Sequence, residues 1–516
     1  MVPIQVLFLI LSLILTLLFF LYGFNYYYLL NAARKYRTPV LPELSAARPA
    51  VCIHLPIYNE KYVLPRLLAA CTGMAKAYGI DKVHLLILDD SDDDTVQKID
   101  DLVGQYRQEQ FQIEVLRRPN RSGYKAGALQ AALARTDEEF IAIFDADYIP
   151  SADFLLRSVP YLAGDERLAI VQGRWSFVNK DSSLLTQAIS HIIDVHFLIE
   201  QPGRYAAGLF QNFNGSGGVL RKKAILEAGG WQADTLAEDL DLSYRMQVRG
   251  YHILYLRDLL VPGEIPPTVP SFSLQQGRWA NGTLRTAMKI LPGLLRDRKI
   301  GFKQRLQAFI HMTSYMIQPL MVISFMLTCF AVLWGVNYHE SIQTTFQIPS
   351  MDTLFASDSG TTFVWQNLAW LVLVPLITLC TLAPWVSLVA TLKLQNLSLI
   401  KNLGSLLLLL LLCFGISLSV LRGAMRAFFT RRAWEWTRTP KDADQPHKRD
   451  RNQIKYQLPV DSLWVWELVF ILAGLWAIGS TFRTGTFSCL FILVPFTISY
   501  GFVFIFSILQ NRKTKA

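Results

Sequence analysis

Phe140-Ile141-Ala142-Ile143-Phe144-Asp145-Ala146-Asp147 decides the fold. An uninterrupted apolar run of this length reads as a strand buried on both faces, as in a parallel sheet covered by helices. Two carboxylates at spacing i, i+2 then close the run. In open α/β sheets, ligands bind outside the carboxyl ends of the strands, so these carboxylates stand where chemistry is expected. Working outward, Val51–Ile57, Val83–Leu88, Ile113–Leu116 and Leu168–Val171 have the same strand character. Lys61–Tyr78, Val96–Tyr106, Lys125–Ala134 and Ala152–Leu162 read as helices between them. The alternation predicts an α/β domain over residues 48–290, built on a mainly parallel sheet.

The rest of the chain explains its bulk properties. Of 516 residues, 52% are apolar, and the mean hydropathy is +0.28, high for a soluble protein of this size. The apolar residues are segregated. Residues 1–33 carry no charge and precede Arg34, Lys35 and Arg37. A signal peptide starts with basic residues; this stretch lacks them and is long enough to cross ~30 Å of hydrocarbon, so it reads as a transmembrane helix. Residues 283–305 mix Leu and Ile with basic residues and read as an amphipathic helix at the membrane interface. Apolar runs cover 306–338, 363–392, 402–421, 462–482 (with Glu467 inside) and 484–511. Residues 336–363 contain no Lys or Arg, whereas 422–455 contain ten against four acidic residues. The positive-inside rule puts the first loop outside and the second in the cytoplasm. This requires that one of the runs 363–392 and 402–421 be re-entrant or interfacial, 402–421 being the better candidate, which leaves five full spans and one partial one. The expected organisation is a transmembrane helix at 1–33, the α/β domain at 48–290 and the interface helix at 283–305. Transmembrane and interface helices follow at 306–421, a basic cytoplasmic loop at 422–460 and two further spans at 461–511.

Several function classes fall away. The net charge of +10 accompanies membrane spans and no nucleic-acid recognition module. No internal repeat suggests a transporter, and transport alone leaves a large acidic α/β domain unexplained. The six cysteines form no CxxC pair, so neither a disulfide framework nor a zinc site is expected. Of His54, His191, His196 and His252, only His191 and His196 are near each other, five apart on a predicted helix and not on one face, so all four read as structural.

Five constellations carry chemistry. Pro56-Ile57-Tyr58-Asn59-Glu60 follows the first strand, either as a loop able to hold a base or ribose or as an ordinary βα connection. Asp89-Asp90-Ser91-Asp92-Asp93-Asp94 follows the second; it reads as a solvated, helix-capping turn or, for Asp89 and Asp90, as nucleotide ligands. Asp145 and Asp147 can grip a hard divalent cation, Mg²⁺ or Mn²⁺, which takes oxygen ligands. Ala237-Glu238-Asp239-Leu240-Asp241 offers a carboxylate as general base and acidic residues suited to a helix N-terminus. Gln275-Gln276-Gly277-Arg278-Trp279 supplies an Arg for a diphosphate and a Trp for a sugar ring, on what is otherwise an amphipathic helix.

In that order, Asp-Asp, DxD, ED and QxxRW resemble the family 2 glycosyltransferases of the cellulose synthase superfamily. The nearest likeness is to cellulose-synthase-like mannan and glucan synthases and their bacterial relatives. Arg121-Ser122-Gly123-Tyr124-Lys125-Ala126-Gly127-Ala128-Leu129, Phe213-Asn214-Gly215-Ser216-Gly217-Gly218 and Glu227-Ala228-Gly229-Gly230-Trp231-Gln232 add to it. More loosely, Trp434-Glu435-Trp436-Thr437-Arg438-Thr439-Pro440-Lys441 looks like that group's gating loop.

The resemblance implies a GT-A fold, the Rossmann-like nucleotide-diphospho-sugar transferase domain, inserted between membrane helices. It implies that Tyr58, Glu60 and Asp89 hold the nucleoside, and that Asp90 and Lys125 position the nucleotide. Asp145 and Asp147 would bind ribose and the metal–diphosphate. Asp239 would be the base, with Glu238 near the acceptor. Gln275, Arg278 and Trp279 would hold the pyrophosphate and the acceptor's terminal sugar. Phe213, Asn214, Gly215 and Ser216 would line the acceptor site, and Thr439 and Lys441 would close over the nucleotide. Ala237 departs from the group's usual Thr, leaving the carboxylates intact. The single span before the α/β domain is similar to the mannan-synthase branch, and no cyclic-nucleotide-binding domain is expected after the spans.

The implied activity is inverting transfer of a hexose from UDP-glucose or GDP-mannose to a growing β-linked polysaccharide, with secretion through the helices. Trp279, Trp334, Trp365, Trp464 and Trp466 would guide the product or form an interfacial belt. The alternative within this chemistry is a single transfer to a lipid acceptor. The implied location is an inner or plasma membrane, with the catalytic domain in the cytoplasm.

Overall fold

The computed structural model describes residues 2–43, 48–334, 378–430, 438, 439, 441 and 461–513. It divides into two compact units. One comprises Leu29–Thr313 and Met425–Leu458; the other comprises Met1–Tyr28, Ser314–Ala424 and Pro459–Ala516.

The first unit is built on seven strands: β1 Val51–Ile57, β2 Val83–Asp89, β3 Gln112–Arg117, β4 Phe140–Ile143, β5 Leu168–Phe177, β6 Gly218–Arg221 and β7 His252–Gly263. Their order is β3-β2-β1-β4-β6-β5-β7. β1 pairs in parallel with both β2 and β4, β2 with β3, and β5 with β7. β6 is antiparallel to β4 and β5. The expected mainly parallel sheet is therefore present, with one reversed strand. β6 has four residues, too few for periodicity to register.

The helices of the chain up to residue 312 include α1 Val2–Ala33, α2 Leu64–Tyr78, α3 Thr95–Gln108, α4 Tyr124–Leu133, α5 Phe154–Gly164, α6 Leu184–Val195, α7 Gln201–Ala206, α8 Lys222–Glu227, α9 Glu238–Val248, α10 Val269–Arg296 and α11 Phe302–Met312. Val51, Ile53, Leu55 and Ile57 share a core with Leu67 and Leu68 of α2, Ile99 of α3 and Phe154 and Val159 of α5. On the other face, Cys52, Leu86, Ile141 and Ile143 pack with Leu129 and Leu133 of α4, Ile225 of α8 and Leu242 and Met246 of α9. Burial on both faces is why these strands are apolar without alternation. The order reverses at β1, which has β2 on one side and β4 on the other. This is the switch point where crossovers leave in opposite directions and open a crevice at the carboxyl ends.

Residues 283–305, expected as one amphipathic helix, are the end of one helix and the start of another. α10 continues through Pro292 to Arg296, then stops. Lys299 N donates to Asp297 Oδ1 at 2.9 Å and Ile300 N to Asp297 O at 3.3 Å. These bonds make a turn, and α11 restarts after Gly301.

Among the described residues, five helices are long and apolar enough to cross a membrane: Ile10–Ala33, Ser314–Leu333, Leu403–Phe429, Leu463–Thr484 and Phe487–Leu509. The third breaks at Ile416 between Leu403–Gly415 and Ser417–Phe429. It extends past the end of the 402–421 run that was expected to be re-entrant, and its 27 residues suffice for a crossing. The apolar helix Thr378–Leu394 is shorter; residues 363–377 of that run lie outside the described residues.

The second unit has its own core, which includes Val322, Phe325, Ala477, Leu493, Phe496 and Tyr500. Gly474 faces Thr497 so closely that a Cβ would lie 2.1 Å from its Oγ1, the small-residue contact that lets membrane helices approach. Glu467 is buried there, and its Oε2 has no hydrogen-bond partner among the described residues. Trp334, Trp464 and Trp466 are exposed; Trp365 lies outside the described residues.

Candidate active site

The carboxyl ends of β1, β2 and β4 bring the acidic motifs together. After β1, Asn59 adopts a positive φ of 55°, a conformation Asn tolerates. Its side chain and backbone lock to the loop after β2. Asn59 Nδ2 donates to Asp92 Oδ1 at 2.8 Å, Asp92 N returns a bond to Asn59 Oδ1 at 3.0 Å, and Asn59 N donates to Ser91 Oγ at 3.0 Å. The Arg121 guanidinium lies 3.3 Å from the centre of the Tyr58 ring, a cation–π contact.

Asp89 and Asp90 are neutralised by two adjacent arginines from the end of β3. Asp89 is buried; its Oδ1 accepts from Ser91 N at 3.0 Å and its Oδ2 from Arg117 Nε at 2.8 Å. Asp90 takes a two-pronged contact from Arg118, with Nε to Oδ1 at 3.0 Å and Nη2 to Oδ2 at 2.5 Å. Arg117 and Arg118 escaped the sequence reading, although each sits level with its acid on the neighbouring strand.

Asp145 lies just beyond β4, where its backbone N–H donates to Ser216 Oγ at 3.0 Å. Lys125, in the first turn of α4, spans the crevice. Its Nζ donates to Asp145 Oδ1 at 2.6 Å and to Gly215 O at 2.9 Å. Burial opposes its charge, but Asp145, Glu238 and Asp239 hold its pKa above the usual lysine range. Glu238 and Asp239 open α9. Burial and the neighbouring Asp239 push Glu238 up; burial also pushes Asp239 up, against the pull of Lys125. Asp241, three residues into α9, is different: it is fully buried and paired with Arg245 at 2.6 Å and Lys289 at 2.8 Å, so it fastens helices.

α10 carries the QxxRW motif and is started by Thr268, whose side chain accepts from Ser271 N at 3.3 Å. It passes the turn before α9 at very short range: a Cβ on Gly282 would lie 2.9 Å from Ala237 N. Burial brings the Arg278 pKa down to about 10, opposed by the Glu238 and Asp145 carboxylates. Arg278 Nη2 donates to Thr439 Oγ1 at 3.3 Å. Gln275 Oε1 is buried with no hydrogen-bond partner among the described residues. Trp279, on the same helix, is half-buried.

Lys441 Nζ donates to Asp147 Oδ1 at 2.7 Å, and Arg438 Nη2 to Glu60 Oε2 at 2.6 Å. Asp147 Oδ2 accepts from Glu264 N at 3.0 Å. Burial disfavours the Asp147 anion, yet Lys441 and these bonds hold its pKa below the usual carboxylate range. Glu60 is pushed up to about 7 by burial, with Arg438 and Lys441 opposing. Glu264 lies outside every motif, and Arg438, although inside the gating-like motif, was given no role there. Residues 434–437 and 440 of the gating-like motif lie outside the described residues.

Two expected acceptor residues are placed otherwise. Phe213 is fully buried, packed in the core beside Leu220 and Ile225 and touching the Gly218 position; it supports the loop from below. Ser216 is also fully buried and holds Asp145. Asn214 is half-buried. Its N–H donates to Gln172 Oε1 at 3.0 Å, and its Oδ1 lies 3.0 Å from His196 Nε2. Gly215 has φ +82°, and a Cβ there would lie 2.9 Å from Asp239 Oδ2. Gly215→Ala is accordingly expected to cost about 1–2 kcal/mol of stability and to displace Asp239. Denaturant unfolding and turnover should both fall; wild-type values for both would contradict this placement.

Oxygen donors dominate the crevice. Asp145 and Asp147 suit a hard divalent cation, and each already faces an ammonium group, Lys125 and Lys441 respectively. The donor set therefore fits Mg²⁺ or Mn²⁺.

Residues 49–282 match the family model described as "Glycosyltransferase like family 2". The chain is 39% identical over 258 residues to glucomannan 4-beta-mannosyltransferase 2 of Arabidopsis thaliana, covering 49% of this chain and 48% of that protein. It is 33% identical over 324 residues to a probable glucomannan 4-beta-mannosyltransferase 9 of Oryza sativa subsp. japonica, covering 59% and 61%. The match spans about half to three fifths of the length of these relatives. A mannosyltransferase from Pyrobaculum calidifontis, solved with GDP-Man and Mn²⁺, is similar at 19% identity and a TM-score of 0.46, covering 76% of this chain and 98% of that one.

Proposed function

We propose, from the premise that this chain belongs through residues 49–282 to the family 2 glycosyltransferases, that it transfers a hexose from a nucleotide-diphosphate sugar to a β-linked glycan. One observation carries the reading: at the switch point of the sheet, Lys125 bonds Asp145 and Gly215 O, and the Gly215 Cα faces Asp239 at the start of α9. A base is thereby set beside cations suited to a departing diphosphate. The named mannosyltransferase relatives favour mannose from GDP-mannose over glucose from UDP-glucose as the donor.

Asp239 takes the proton of the acceptor hydroxyl as that oxygen attacks the anomeric carbon. The bond to the diphosphate breaks, and the carbon inverts. Arg278 and Lys125 face the charge that grows on the leaving diphosphate. Asp145 and Asp147 would hold the divalent cation, which when bound supplies further charge neutralisation at the diphosphate. Tyr58, Glu60, Asp89 and Asp90 would form the nucleoside end of the crevice. Asn214 and Glu238 would face the acceptor. Thr439 and Lys441 would cover the bound nucleotide. The ten basic residues of 422–455 support a cytoplasmic transferase domain, and the long apolar helices support release of the glycan across the membrane.

The test is label transfer by the full chain in lipid nanodiscs, with each donor offered separately and products digested by linkage-specific hydrolases. A β-mannan made from GDP-mannose is the expected result. Transfer from neither donor to any glycan or lipid would sink the proposal. Chelation with EDTA should remove transfer, and Mg²⁺ or Mn²⁺ should restore it. Undiminished transfer after chelation would exclude the metal assignment of Asp145 and Asp147.

A further inference from the structure

The opposite rim of the same sheet carries a second cluster that the transferase chemistry does not use. Cys52 and His84 are register partners on β1 and β2, and Glu138 lies just before β4. Their side chains converge on one atom. His84 Nδ1 is 3.7 Å from Cys52 Sγ and 3.2 Å from Glu138 Oε1, and one donor atom from each residue falls within 4.8 Å of the others. We propose that Cys52, His84 and Glu138 form a binding site for a zinc-like transition-metal ion, separate from the Asp145–Asp147 crevice.

The geometry is the argument. Bond lengths of 2.0–2.3 Å at tetrahedral angles place neighbouring Zn²⁺ donors roughly 3.3–3.6 Å apart. The two separations made by His84 Nδ1 are close to that, and the third, from Cys52 to Glu138, lies within 4.8 Å. An ordinary His–Glu ion pair would not call for a thiol facing the same ring nitrogen. That nitrogen carries either one proton or one lone pair, so it cannot serve both neighbours fully.

The surroundings match a ligand role. Glu138 Oε2 is held by Asp137 N at 3.1 Å, leaving Oε1 toward His84. On the far side of the ring, Glu114 Oε2 lies 3.9 Å from His84 Nε2, and Arg135 holds its other oxygen at 2.9 Å. At 3.9 Å this carboxylate makes no hydrogen bond to the ring; an approach of about 1 Å would let it fix the tautomer of a ligating imidazole. Cys52 is fully buried, while the His84 and Glu138 side chains retain 18% and 15% exposure. This leaves a solvent route for entry and for a water in the fourth position. Sulfur, nitrogen and one carboxylate oxygen select a zinc-like ion over Mg²⁺ or Mn²⁺. Binding would release the thiol proton to solvent, with no change of oxidation state. The rim lies about 17 Å from the crevice, at ~3.3 Å per strand residue, so the metal would clip β1, β2 and the entry to β4 without entering catalysis.

The probe is Co²⁺ added to chelator-treated full chain in detergent. We expect a thiolate-to-cobalt charge-transfer absorption at one equivalent, bleached by Zn²⁺. It should be lost in Cys52→Ser and kept in Asp147→Asn. Glu138→Gln, at a partly exposed position that preserves shape, should weaken Co²⁺ binding at least ~10-fold and abolish any rise in melting temperature with Zn²⁺. Absence of the band in the wild type, its survival in Cys52→Ser, or unchanged Co²⁺ affinity in Glu138→Gln would overturn the site.

Discussion

Asp239→Asn should lower turnover by ~10²–10⁴, the usual contribution of a positioned general base, with little change in donor KM. The substitution preserves size and the acceptance of Leu240 N by Oδ1, which holds Asp239 at 2.8 Å, so geometry survives and basicity does not. A group that acts only in the transition state shows this split between turnover and KM. Burial raises the Asp239 carboxyl. The base works only when deprotonated, so the acid limb of kcat/KM in the wild type should lie above the ordinary Asp range of about 4. That limb should vanish in the variant. Glu238→Gln is the necessary partner experiment. If it removes more turnover than Asp239→Asn, the two carboxylates have exchanged roles.

Lys125→Met should reduce kcat/KM by on the order of 10²-fold. The pair it makes with Asp145 is half-buried, the two side chains keeping 23% and 33% exposure, so the loss comes mainly from the charge missing at the diphosphate. The ammonium touches Asp145 and Gly215 O and holds down the carboxyls of Glu238 and Asp239. Its removal therefore raises both acids further, and the acid limb should move to higher pH. Lys125→Arg should restore the limb's position more than the rate, because a guanidinium keeps the charge and changes the fit. A pH profile that stays in place in Lys125→Met would show that this lysine does not tune the base.

Much of this arrangement was legible in the chain. Continuous apolar runs marked β1, β2 and β4, and the acidic residues closing β2 and following β4 pointed to the rim where these side chains gather in the fold. What motif reading could not supply was pairing across the sheet. Arg117 and Arg118 meet Asp89 and Asp90 because β3 lies beside β2, which no local spacing encodes. Arg438 reaches Glu60 from 378 residues away. Phe213 was placed at the acceptor site by the family resemblance alone; the fold turned its ring into the core. The expectation of no zinc site rested on the absence of CxxC. Strand register brings Cys52 and His84 together without any such motif.

Lys441 on Asp147 and Arg438 on Glu60 have one more consequence. Within this unit, those acids are already compensated before any donor arrives. On the proposed function, loading a sugar nucleotide with a divalent ion would exchange these counter-charges: Lys441 and Arg438 would leave the acids and meet phosphate. Lys441→Met should accordingly load the divalent ion more readily yet hold the nucleotide less well.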